Sequence, residues 1–132
     1  MTDRALISMA TETMENSYSP YTRFKAGAAV ECADGSVFKG CNIENAAFGG
    51  TICAEAAAVA AAVSAGQNSF RRIAIISGAN SYCFPCGACR QLLNEFSPEM
   101  EVLSARADGR YVSYSLSALL PMPFEIGLGD DP

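Results

Sequence analysis

Two short segments constrain this chain more than anything else in it: Cys53-Ala54-Glu55 and, further along, Pro85-Cys86-Gly87-Ala88-Cys89. Three thiols and one carboxylate at these spacings suit a divalent metal that activates water while the carboxylate moves protons. The chain contains no histidine, so sulfur has to supply what imidazole often supplies at such a site. Nucleophile triads built on a histidine base are excluded for the same reason. Any fold the chain adopts must bring these two segments to one point.

Local chemistry indicates how they meet. Cys86 and Cys89 are three apart, so on the first turn of a helix both sulfurs face one way. Cys53 stands at the start of an alanine-rich run that is also expected to be helical. Two helix amino termini would converge on the ion, their dipoles lowering the thiol pKa values and offsetting thiolate charge. Three protein ligands leave the fourth tetrahedral corner to water, as in catalytic zinc sites. Three thiolates on Zn²⁺ leave a net charge of −1, which opposes ionisation of that water and calls for a compensating positive group. Glu55, two residues past Cys53, is too close to be a comfortable fourth ligand and reads as the general base. The Ala54 N–H, free at a helix start, is a ready donor to a substrate carbonyl.

Other readings of the cysteines stand beside this one. Cys86-x-x-Cys89 resembles a cytosolic redox pair, although the early strand-then-Cys-x-x-Cys order of such proteins is absent. Cys83 could close a four-sulfur structural site. Cys32 and Cys41 fall on strand positions and read as small core residues.

At 132 residues, half of them hydrophobic, the chain is expected to form one domain, residues 1–132, with a real core. No apolar stretch is long enough to span a bilayer. Met1-Thr2-Asp3-Arg4 lacks the pattern of a secretory signal, so the expected location is the cytoplasm, with cysteines reduced or metal-bound. The net charge is −5, with no basic stripe, which disfavours nucleic acid as a partner and favours a small uncharged substrate.

The element order is legible from periodicity and punctuation. Asp3 to Ser17 carries apolar residues at helical spacing. Ala26–Cys32 and Ser36–Cys41 read as strands joined at Asp34-Gly35, a hairpin signal. Asn42 to Gly50 reads as loop, and Cys53–Ala65 as a helix ended by Gly66. Arg72–Ser77 is a buried strand, Cys86 to Phe96 a second internal helix stopped before Pro98. Glu101–Ala107 and Tyr111–Leu116 are strands joined at Asp108-Gly109-Arg110, and Ser117–Leu120 is a helical turn. The reading is an α/β fold, three layers α/β/α around a mixed five-stranded sheet.

The chain resembles the small, zinc-dependent cytidine deaminases that form homotetramers. The resemblance lies in Tyr21-Thr22-Arg23-Phe24-Lys25-Ala26-Gly27-Ala28-Ala29, Gly40-Cys41-Asn42-Ile43-Glu44-Asn45-Ala46-Ala47, Cys53-Ala54-Glu55, Pro85-Cys86-Gly87-Ala88-Cys89-Arg90-Gln91, and Leu119-Leu120-Pro121 with Phe124. It implies one Zn²⁺ per subunit on Cys53, Cys86 and Cys89, and Glu55 as the acid–base residue. Phe24 would stack on the pyrimidine, Asn42 and Glu44 would hold the ribose 3′-hydroxyl, and Ile43 and Ala54 would complete the substrate contacts. Ala46, Phe48 and Phe124 would reach a neighbouring subunit's pocket. Read alone, Phe24 is a core residue before a strand, Asn42 and Glu44 are turn caps, and Phe124 is an ordinary terminal aromatic.

Two positions depart from the family pattern. Members commonly carry an arginine after Cys-Ala-Glu that offsets the thiolates; here the residue is Ala56, which leaves Arg90 and Gln91 as candidate donors around the metal. Phe48 stands where many members have a tyrosine reaching the ribose 5′-hydroxyl, a loss of about 0.5–1.5 kcal/mol. The implied function is hydrolysis of cytidine and 2′-deoxycytidine in pyrimidine salvage. The alternatives are a deaminase of a nucleoside antibiotic such as blasticidin S, or a zinc-stabilised binding protein without catalysis.

Overall fold

The computed structural model describes residues 1–126. Residues 127–132, the tail of the domain expected from the sequence, lie outside the described residues. A five-stranded sheet in the order β2-β1-β3-β4-β5 forms the middle layer. Its strands are β1 (Ala26–Cys32), β2 (Val37–Cys41), β3 (Phe70–Ser77), β4 (Glu101–Ala105) and β5 (Tyr111–Ser115). Only β3 and β4 run parallel; the other pairs are antiparallel, so the sheet is mixed as expected.

Helix α1 (Asp3–Met14) covers one face, and α2 (Ala54–Ser64) with α3 (Gly87–Phe96) covers the other. Thr2 caps α1, its hydroxyl accepting the Ala5 N–H at 3.1 Å. Leu6, Ile7, Ala10 and Met14 form its inward stripe, against Ala29, Ala74, Ile76 and Leu103 of the sheet. On the opposite face Ala58, Val59, Ala62 and Leu93 meet Ala28, Val30, Ile73, Ile75 and Val102. With helices on both sides, every residue of β1 is buried. This explains a run that carries no polar alternation apart from Glu31, whose carboxylate pairs with Arg72 at 2.7 Å.

Both Asp-Gly signals mark hairpins, and both use three-residue loops. Cys32 N–H donates to Ser36 O at 2.8 Å around Ala33-Asp34-Gly35, and Arg106 N–H donates to Arg110 O at 2.8 Å around Ala107-Asp108-Gly109. In each loop the glycine lies at positive φ and the aspartate carboxylate accepts the next free N–H, from Ser36 or Arg110. Helix α2 ends in a Schellman motif: Gln67 N–H reaches Ala62 O and Gly66 N–H reaches Val63 O, both at 3.0 Å.

Several boundaries differ from the sequence reading. Helix α1 stops at Met14 rather than Ser17, and β2 begins at Val37 after the hairpin loop. β3 begins two residues early, at Phe70. A 3₁₀ turn occupies Phe48–Gly50 within the expected loop, and the last helix, α4, is Leu116–Leu119.

The position of α2 depends on Gly40. A Cβ there would stand 2.3 Å from Ala58 N and 2.6 Å from Ala54 O, so only glycine lets α2 lie this close to β2. Gly40→Ala is expected to cost about 1–3 kcal/mol by overpacking. It should lower the thermal midpoint and, because Ala54 opens α2, lower turnover as well.

The strand ends prepare the site. β2 and β3 finish at the same edge of the sheet, since Gly27 at the start of β1 lies opposite Cys41 and Ile76. The chain leaves that edge into the starts of α2 and α3. Crevices outside strand carboxyl ends are where open α/β sheets bind ligands.

Candidate active site

Cys53 and Cys86 are the N-cap residues of α2 and α3, extended at φ −73°, ψ 153° and φ −68°, ψ 170°. Both precede their helices rather than lying inside them. Cys89 sits in the first turn of α3 and is buried. The three sulfurs lie within 4.8 Å of one another, with Cys53 and Cys86 3.8 Å apart. Zinc–sulfur bonds of about 2.3 Å in a tetrahedron set sulfurs about 3.8 Å apart. The donor set therefore fits zinc, and Cys83 is not part of it, which leaves the fourth corner without a protein sulfur. All six cysteines are free.

The expectation that helix starts hold all three thiols low is met only at Cys86. There burial pushes up, but hydrogen bonds from the Cys89 backbone and from the Cys89 and Cys53 thiols outweigh it. Burial dominates at Cys53 and Cys89, and the charges of Glu55 and the neighbouring sulfurs push the same way. A cation entering this cluster must displace protons, so its affinity falls as pH falls. Glu55, 5% exposed in the first turn of α2, is likewise raised above the usual carboxyl value by burial.

Cys53, Cys86 and Glu55 open onto a cavity of about 560 Å³, within the usual range for small-molecule sites, and Cys89 lies buried behind its lining. Phe24, Asn42, Glu44, Phe48, Cys53, Ala54, Glu55 and Cys86 all line it. Phe24 is 48% exposed, an open aromatic wall rather than a core residue. Asn42 is buried and spends its amide on the approach to β1: Oδ1 accepts the Ala26 N–H at 2.9 Å, and Nδ2 donates to Phe24 O at 2.7 Å. Glu44 accepts the N–H groups of Tyr21 and Thr22 at 3.0 and 3.1 Å through Oε1, and the Thr22 hydroxyl through Oε2. The Thr22 hydroxyl holds the Glu44 carboxyl below its ordinary value, against the opposing push of burial. Both residues thus serve as caps, as their local reading suggested, and both face the cavity. One N–H of the Asn42 amide and further lone pairs on Glu44 remain for a ligand.

The remaining expected residues divide. Phe48 lines the cavity of its own chain, its ring edge-on to Tyr21 at 5.4 Å. Ile43 is tied by backbone bonds to Ile52 at 2.9 Å and lies outside the lining, as do Ala46 and Phe124. Arg90 and Gln91 are not donors to the thiolates. Arg90 donates to Pro85 O at 2.7 Å and Leu119 O at 2.8 Å, and Gln91 clasps the Phe124 backbone at 2.7 and 3.2 Å. No bond from either to a sulfur occurs among the described residues. Residues not given a site role by sequence also reach the cavity: Thr22, Thr51 and Phe84. Phe84 could have been suspected from its position immediately before Pro85-Cys86, and Cys83, weighed as a fourth ligand, lines the cavity outside the three-sulfur cluster. Burial beside Glu55 pushes the Cys83 thiol up to about 11, so it is neutral.

Comparison with known proteins converges on one family. Residues 1–105 match the cytidine and deoxycytidylate deaminase zinc-binding region. A cytidine deaminase of Halalkalibacterium halodurans is 40% identical over 125 residues, 94% of this chain and 95% of that protein. The crystal structure of a cytidine deaminase from Burkholderia pseudomallei superposes with a TM-score of 0.91 at 42% identity, covering 94% of this chain and all of the other. A blasticidin-S deaminase of Bacillus cereus is also similar, at 30% identity over 92% of this chain and 91% of that protein.

Proposed function

This chain belongs to the cytidine and deoxycytidylate deaminase family, and we propose that it hydrolyses cytidine and 2′-deoxycytidine to uridine and 2′-deoxyuridine with release of ammonia. The observation that carries this reading is the three-sulfur cluster beside the buried Glu55, with Cys53, Cys86 and Glu55 lining a nucleoside-sized cavity. One zinc ion per subunit, on Cys53, Cys86 and Cys89, supplies when bound a Lewis acid that lets water ionise near neutral pH. Glu55 takes the proton of the attacking water and delivers it to N3 of the ring. It then carries a second proton from the new C4 hydroxyl to the amine, which leaves as ammonia. A carboxyl raised by burial is a stronger base than an exposed one and holds a proton between transfers.

The other cavity residues orient the nucleoside. The Ala54 N–H, without a helical partner at the first position of α2, donates to the O2 carbonyl. Phe24 packs on the face of the base, and Asn42 and Glu44 take the ribose 3′-hydroxyl with their unused donor and acceptor capacity. Ile43, its N–H and C=O both paired with Ile52 and outside the cavity lining, takes no part in these contacts. Phe48 offers no hydroxyl, so the 5′-hydroxyl loses that partner.

The assembly we propose is a homotetramer, in which Ala46 and Phe124 contribute to a neighbour's pocket while Phe48 lines its own. Phe48 is 67% exposed, Phe124 71% and Met122 87%, apolar surface of the kind that subunit contacts cover. The proposed setting is pyrimidine salvage in the cytoplasm, as one domain, with no nucleic-acid partner for a chain of net charge −5. No helix of the described residues is long and apolar enough to cross a membrane.

The similarity to a blasticidin-S deaminase supports a second reading, turnover of a nucleoside antibiotic. The two separate in one assay of ammonia release and ultraviolet absorbance on cytidine, 2′-deoxycytidine and blasticidin S, with zinc measured in the same sample. We expect the two nucleosides to be turned over with one zinc per chain and blasticidin S to lag far behind. Preference for blasticidin S would transfer the function to the antibiotic. No ammonia from any of the three would leave a zinc-stabilised binding protein.

A further inference from the structure

Phe84 lines the cavity yet has no part in the chemistry above. It lies in the link between β3 and α3, two residues before Cys86, and its backbone is clamped on both sides. On one side the Cys83 N–H donates to Ala105 O at 3.3 Å, and on the other Arg90 grips the carbonyl of the fully buried Pro85 at 2.7 Å. The Phe84 ring is nevertheless 39% exposed, and its support is Tyr114 of β5, with ring centroids 6.0 Å apart at 53°. A large apolar ring on a fixed backbone, open to a cavity and braced from behind, meets whatever enters.

The other lining residues determine which edge of the substrate it meets. Glu55, Ala54, Asn42, Glu44 and Phe84 all line the one cavity, Glu55 and Ala54 from the start of α2 and Phe84 from the link that leads into α3. With N3 of a flat pyrimidine on Glu55, O2 on the Ala54 N–H and the ribose at Asn42 and Glu44, the C5 edge is left to the remaining lining, to which Phe84 contributes a large apolar ring. We infer that Phe84, braced by Tyr114, is a specificity-determining wall for the C5 edge of the pyrimidine, admitting hydrogen and resisting larger substituents. The inference rests on the deaminase reading and adds to it a limit on the substrate. A single methyl group in an apolar pocket typically changes selectivity by about 10–200-fold.

The test is the ratio of kcat/KM for cytidine to that for 5-methylcytidine, on zinc-loaded wild type, Phe84→Ala and Tyr114→Ala. Wild type should favour cytidine, Phe84→Ala should lower the ratio about tenfold or more, and Tyr114→Ala should lower it by less. Equilibrium binding of the products, uridine against 5-methyluridine, should move in the same direction without any turnover. Should Phe84→Ala not fold, Phe84→Leu gives a smaller fall in the same ratio. Cytidine turnover with an unchanged ratio in the variants, or equal rates on both substrates in wild type, overturns the inference and leaves the deaminase reading standing. A zinc-loaded wild type that releases no ammonia from cytidine overturns both.

Discussion

Glu55→Gln is expected to retain zinc and the folded state while losing turnover by about 10⁴-fold, the upper end of what a positioned acid–base group contributes. The upper end applies because one carboxylate serves every proton transfer between water, N3 and the leaving amine. The amide is isosteric, so the cavity and the cysteine cluster keep their shape. Stability gives a second readout with a defined sign. Burial raises the Glu55 carboxyl in the folded protein, so its ionised form is disfavoured there. It therefore costs stability once pH exceeds the ordinary carboxyl value, and the neutral amide removes that cost. In chelator-treated protein at neutral pH, the thermal midpoint of Glu55→Gln should equal or exceed that of wild type. Preserved turnover in a zinc-loaded Glu55→Gln sample would remove Glu55 from its assigned role.

The sulfurs separate into two classes, and single substitutions should show it. Cys89→Ala removes a buried member of the three-sulfur cluster. Its expected outcome is loss of bound zinc, with affinity falling by far more than the about 10–100-fold that follows loss of a group merely supporting a ligand. Turnover should fall to background. Cys83→Ala should keep one zinc per chain, because the Cys83 sulfur stands apart from the cluster although it lines the same cavity. Zinc analysis after dialysis, run beside an ammonia assay, distinguishes these results. Zinc loss from Cys83→Ala equal to that from Cys89→Ala would point instead to a closed four-sulfur site.

Elements held together by local chemistry were legible in the sequence. The stripe of Leu6, Ile7, Ala10 and Met14, the two Asp-Gly hairpins and the stop at Gly66 follow from periodicity and from backbone conformations that few residues tolerate. Cys53, Cys86 and Cys89 were legible as one cluster because their spacing puts each at or within the first turn of a helix, two of them at the start of the same one. What remained hidden depends on contacts distant in sequence. Gly40 reads as one more strand residue until α2 is seen lying on it. Arg90 and Gln91 follow Cys89 directly, which suggested donors for the thiolates. On a helix, however, consecutive side chains leave in different directions, and these two reach Leu119 and Phe124 instead. The helix starts were expected to lower all three thiols, but burial and mutual repulsion prevail at Cys53 and Cys89. Phe84 was missed because an aromatic beside a buried proline resembles core packing until the cavity in front of it is visible.

Zinc K-edge X-ray absorption of the purified, zinc-loaded protein tests the open-cornered site most directly. Three sulfurs at about 2.3 Å and one lighter oxygen or nitrogen scatterer at about 2.0 Å are the predicted shell. A shell of four sulfurs, or one in which fewer than three sulfurs bind, contradicts it.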